Sequence, residues 1–90
     1  MKIIKIGAMW CPACIVTNKY WKKIKDRYKE IEFIDYDLDM DEEEVKKLNV
    51  GNILPEFIFL DSNNVEIKRI FGEKTQDELE KEIEVIINES

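Results

Sequence analysis

Ninety residues, 44% apolar and 38% charged with a formal net charge of −6, predict one globular domain with a modest core and no room for a second. No apolar run approaches the length needed to cross a bilayer, and an acidic chain with scattered lysines lacks the clustered cations that nucleic-acid phosphates require, so membrane spans and nucleic-acid partners are excluded. Two cysteines and no histidine complete neither a four-ligand zinc site nor a cysteine–histidine nucleophile within one chain, so no metal or cofactor is expected.

The chain enters an apolar, β-branched run at Lys2 and stops it at Gly7, which predicts a short buried strand. Nothing at the start resembles the basic segment, apolar segment and cleavage site of a secretory leader, so a cytoplasmic location is expected. After a loop at residues 8–10 comes Trp10-Cys11-Pro12-Ala13-Cys14, which holds both cysteines. Pro12 sits where a helix tolerates a missing amide, which places Cys11 at the cap. From there Cys14, Trp21, Ile24 and Tyr28 recur at helical spacing, with Val16 and Tyr20 beside them and lysines opposite, predicting a helix to about Lys29.

Residues 31–38 read as a second strand, with Ile34, Tyr36 and Leu38 on one face and Phe33, Asp35 and Asp37 on the other. Asp41 and Glu44 have the spacing of a capping pair before a short helix ridged by Val45 and Leu48. Ile53-Leu54-Pro55 then leads into a dense β run, Glu56 to Leu60. A turn at residues 61–64 joins it to a strand from Val65 to Phe71, as in a hairpin, with Gly72 at its end. Thr75 and Glu78 form a capping box for a last helix reaching nearly to Ser90, with Leu79, Ile83, Ile86 and Ile87 inward. The order β-α-β-α-β-β-α predicts an α/β fold: a four-stranded mixed sheet with helices on both faces, as a single domain over residues 1–90.

Trp-Cys-x-x-Cys after the first strand, the Leu54-Pro55 dipeptide before the hairpin and Gly72 after it resemble the thioredoxin superfamily over essentially the whole chain. The match is to a minimal, glutaredoxin-sized form without the extra N-terminal strand and helix of full-length thioredoxins. The resemblance implies a thioredoxin-like fold, a cis Leu54-Pro55 peptide facing the cysteines, and a docking groove rimmed by Trp10, Leu54 and Pro55. In that groove the Leu54 backbone pairs with a substrate strand and Gly72 leaves room for it. It also implies protein disulfides as substrates, and a thioredoxin-reductase-like flavoenzyme or a small thiol as electron donor; a monomer is expected.

A disulfide exchanger needs one accessible thiol that ionises readily and a second that attacks the mixed disulfide formed on the first. At the helix cap, Cys11 faces unpaired amides and the positive end of the helix dipole, which ease its deprotonation and make it the expected nucleophile. Cys14, one turn on and pointing inward, is the expected resolving thiol. Pro12-Ala13 mixes the Gly-Pro usual in thioredoxins with the Pro-Tyr usual in glutaredoxins, which leaves the direction of exchange open. Phe71-Gly72-Glu73-Lys74 lacks the Gly-Gly-x-Asp segment with which glutaredoxins grip glutathione.

Thioredoxins commonly place a buried acid six residues before the first cysteine and a lysine on the neighbouring strand. Here Lys5 and Asp35 occupy those places, so the charges are exchanged. Two readings follow: Lys5 and Asp35 meet beneath Cys14 and support its proton transfer, or Lys5 snorkels to water. Residues 37–44 read as a solvated loop and helix start, and Glu56 as an exposed strand start. The rival to an oxidoreductase is a binding module in which two chains share a metal or iron–sulfur cluster through the Cys-x-x-Cys.

Overall fold

Isoleucines and aromatic residues, which suit a pleated surface, draw four short strands into one sheet. In the computed structural model, which describes residues 1–89, these are β1 (Lys2–Gly7), β2 (Glu32–Asp37), β3 (Glu56–Leu60) and β4 (Glu66–Phe71). The strand order is β2-β1-β3-β4. β1 and β2 are parallel, whereas β3 runs antiparallel to both β1 and β4. The helices are α1 (Pro12–Arg27), α2 (Glu42–Lys46) and α3 (Gln76–Glu89). This is the predicted mixed sheet and element order; the final position, Ser90, lies outside the described residues. Among the described residues, no helix is long and apolar enough to cross a membrane.

Because strand side chains alternate, β1 divides the core in two. Ile3, with Phe57 and Phe59 of β3, packs beneath Trp21, Ile24 and Tyr28 of α1 and Leu79, Ile83 and Ile86 of α3. Ile4, Ile6 and Ile58 pack on the opposite face with Val45 of α2. Helices therefore cover both faces.

Helix α1 begins with Cys11 as its N-cap and Pro12 in the first turn, and ends at Arg27, two residues short of the predicted end, where the Tyr28 amide closes on the Ile24 carbonyl. Its buried face is Cys14, Thr17, Trp21 and Ile24. Val16, predicted beside that face, is exposed; Thr17 is buried instead, its hydroxyl donating to the Ala13 carbonyl at 2.9 Å. The Asp41–Glu44 capping pair does not form. Asp41 is the N-cap of α2 without a side-chain cap bond, because its carboxylate turns back to accept from the Asp37 amide at 2.7 Å.

The box that starts α3 is complete: the Glu78 amide donates to Thr75 Oγ1 at 3.1 Å and the Thr75 amide to Glu78 Oε1 at 3.0 Å. These bonds hold the Glu78 carboxyl below its usual range. Replacing Thr75 with alanine leaves the Glu78 amide unpaired and is expected to cost about 1 kcal/mol. Thermal unfolding followed by circular dichroism checks this; an unchanged midpoint would refute the cap's contribution.

Candidate active site

The chain leaves β1 at Gly7, crosses a loop tightened by the Cys11 amide bonding to the Ala8 carbonyl at 3.1 Å, and enters α1. Cys11 has extended backbone angles, φ −91° and ψ 113°, which turn its side chain back over the first helical turn. There Cys11 Sγ accepts the Cys14 amide at 3.3 Å. The cap therefore directs an unpaired helix N–H and the positive end of the helix at this sulfur, an arrangement that favours negative charge on it.

Cys11 is less accessible than the sequence suggests. It is 6% exposed, because Ala13, Leu38 and Leu54 pack around the two cysteines and Cys11 Sγ lies 3.8 Å from the Leu54 carbonyl, to which the thiol donates. Cys14 lies deeper against β1. A side chain at Gly7 would meet Cys14 Sγ at 3.2 Å and push it back by a few tenths of an ångström, so glycine there lets strand and sulfur approach closely. Burial, reinforced by the hydrogen bond to Cys11, pushes the Cys14 thiol up to about 11. The two thiols thus sit in different environments, one facing helix amides and one kept protonated.

Beside Cys11, the Leu54–Pro55 peptide is cis, as the resemblance implied. The Pro55 carbonyl accepts the Gly72 amide at 2.8 Å. Gly72 has φ +84°, a left-handed conformation that favours glycine, and faces Ile53. Trp10 is 63% exposed, and its indole N–H donates to Asp39 Oδ2 at 2.8 Å. Trp10, Leu54, Pro55 and Gly72 are the groove residues expected from the sequence. Ile53, exposed and against Gly72, lies beside them and was missed, although it immediately precedes Leu54 in the chain.

On the other side of Cys14, between α1, β1 and β2, an open pocket of about 330 Å³ is lined by Lys5, Gly7, Cys14, Asn18, Asp35 and Asp37, among others. Lys5 and Asp35 are register partners on the paired strands. Lys5 is 7% exposed and does not snorkel: its ammonium donates to Asn18 Oδ1 and lies 5.6 Å from the centre of the Trp21 ring. Burial lowers its pKa, and the Asp35 charge partly offsets this. Asp35 is ion-paired with Lys25 instead and accepts the Trp21 indole N–H at 2.8 Å. The two charges therefore share the pocket while bonding to different partners. Asn18, one turn beyond Cys14 on the same helix face, is a further residue that helical spacing points to.

Glu56 is the clearest departure from the sequence reading. It is 0% exposed rather than an exposed strand start, because Arg69 pairs with its carboxylate at 2.8 Å.

A Cys-x-x-Cys at the start of the first helix, beside a cis-proline loop on this four-stranded sheet, defines the class of dithiol proteins with a thioredoxin-like fold. The family pattern described as thioredoxin matches residues 1–85, and the chain belongs to that family. Thioredoxin H2 of Arabidopsis thaliana is 30% identical over 81 residues, covering 90% of this chain, which spans 59% of that relative's length. The crystal structure of thioredoxin from Trypanosoma brucei brucei is similar with a TM-score of 0.84 at 25% identity, covering 97% of this chain and 74% of the other. The thioredoxin NaTrxh of Nicotiana alata is similar with a TM-score of 0.81 at 27% identity, covering 91% and 69%.

Proposed function

We propose that this protein is a thiol–disulfide oxidoreductase that reduces disulfides in protein partners through Cys11 and Cys14. The observation that carries the reading is the Cys14 amide held on Cys11 Sγ at the helix N-terminus, beside the exposed Trp10 and the cis Leu54–Pro55 peptide. The Cys11 thiolate attacks one sulfur of a substrate disulfide; that S–S bond breaks, a substrate thiolate leaves, and a mixed disulfide forms on Cys11. Cys14 then loses its proton and attacks Cys11 Sγ, expelling the second substrate sulfur as a thiolate. Two electrons have passed to the substrate and the protein holds a Cys11–Cys14 disulfide. A thioredoxin-reductase-like flavoenzyme or a small thiol returns two electrons. Trp10, Leu54, Pro55 and Gly72 receive the substrate chain, with Leu54 backbone groups pairing with it as an added strand. The protein acts as a monomer in the cytoplasm.

In the second step, Cys14 must ionise against its own burial. Lys5 supplies positive charge on the pocket side of Cys14 and favours its thiolate, and Asp35 exchanges the proton with solvent across the same pocket. Replacing Lys5 with methionine removes that charge and should move the pH profile of Cys14 alkylation upward. A superimposable profile removes Lys5 from the mechanism.

The function itself is tested by reduction of insulin disulfides with dithiothreitol as donor. A colourless monomer that accelerates the reaction is the expected result. An inactive protein purifying as a dimer with visible absorbance would overturn the reading in favour of a shared cluster.

A further inference from the structure

Glu56 is a fully buried carboxylate directly after the cis-proline, and the exchange chemistry does not use it. Its oxygens serve two different segments: Oε1 accepts the Gly51 amide at 3.1 Å, and Oε2 accepts Arg69 Nη1 at 2.8 Å. The same Nη1 donates to the Leu48 carbonyl at 2.8 Å and the Asn49 carbonyl at 3.3 Å, just past the end of α2, where carbonyls lack helical partners. Glu66 holds the other side of the guanidinium, with its oxygens 3.2 Å from Nε and 2.7 Å from Nη2.

Together these bonds fasten residues 48–51 to β3 and β4. The far end of the same loop is fastened where the Gly72 amide donates to the Pro55 carbonyl at 2.8 Å. Between the two fixed points lie Ile53, whose side chain is exposed, and Leu54, whose carbonyl faces Cys11. Burying a charge pair is a poor way to gain stability, since an apolar pair of similar shape often serves as well. What the carboxylate and guanidinium supply is direction: planar groups that hold three backbone positions in fixed orientation.

We propose that Glu56 and Arg69 are positioning residues for substrate docking, holding the Leu48–Gly51 segment so that Ile53 and Leu54 present a formed groove wall to an extended protein substrate. Neither residue touches the sulfurs. Their effect is therefore on recognition of a polypeptide and not on the reactivity of Cys11.

The inference rests on the proposed reductase activity, and its test separates the two. Glu56→Gln keeps an oxygen for the Gly51 amide and loses the ion pair. With folding verified by near-ultraviolet circular dichroism, KM for a protein disulfide should rise about tenfold. Its kcat, and the rate with a small aromatic disulfide that needs no groove, should stay within about twofold of the unaltered protein. Equal losses on both substrates, or a lowered melting temperature with KM unchanged, would overturn the inference. Should Glu56→Gln not fold, Arg69→Lys supplies the same comparison, because lysine keeps the charge but cannot reach Glu56, Glu66 and the Leu48 and Asn49 carbonyls together. Hydrogen exchange in the unaltered protein is a further check: the Gly51 amide should be protected, and rapid exchange there sinks the proposal. If the unaltered protein reduces neither substrate, the reductase reading has failed.

Discussion

Replacing Cys14 with serine is expected to arrest the protein after its first chemical step, leaving substrate covalently attached to Cys11. The bond from residue 14 to Cys11 Sγ is donated by the backbone amide, so the substitution keeps the interaction that favours charge on the attacking sulfur. What disappears is the thiol that burial holds at about 11 in reserve. Turnover should fall to the uncatalysed background, while a mixed disulfide accumulates that is visible by mass spectrometry and on a non-reducing gel, and is released by dithiothreitol. Cys11→Ser should give the same loss of turnover with no adduct. Multiple turnovers by Cys14→Ser would mean that Cys11 works alone, and an adduct on Cys14 in Cys11→Ser would reverse the two roles.

Phe57→Ala should give the largest loss of stability among simple core truncations. Phe57, the second residue of β3, is fully buried, its ring centre 5.3 Å from that of Trp21, and Trp21 in turn meets Phe33 edge-on at 5.5 Å. Removing the ring opens a cavity between the sheet and α1 that these aromatic neighbours cannot fill without leaving their packing. The expected cost is about 3–5 kcal/mol. Each kcal/mol should lower the melting temperature by about 4–8 °C in a domain of this size. Urea unfolding should show a lower midpoint with an unchanged slope. Phe57→Leu, which retains most of the volume, should lose far less; equal losses would point to the aromatic contact rather than the cavity.

Much of the site was legible because it is local. Two cysteines three residues apart, with a proline between them at the start of a helical pattern, place one sulfur at the cap and the other a turn inside. The alternation of β1 and β2 likewise put Lys5 and Asp35 on one face, and the strand register pairs them. Their hydrogen-bond partners were less visible, since Asn18 and Lys25 compete for these charges from a helix whose rotation over the sheet depends on the whole core. Glu56 was misread for a related reason. A carboxylate beside a proline looks solvent-facing until Arg69, thirteen residues away on the next strand, is seen to reach it. The Asp41–Glu44 spacing fitted a capping box, yet the end of β2 offered the Asp41 carboxylate a closer amide. The cover over Cys11 comes from Leu38 and Leu54, which only the assembled fold brings together.

The strand order leaves β2 and β4 as the open borders of the sheet. Glu32 and Asp35 stand exposed along one, and Glu66 and Lys68 along the other. Charges beside unpaired main-chain groups discourage strands of a second molecule from extending the sheet. Fibril-like growth from either border is therefore disfavoured.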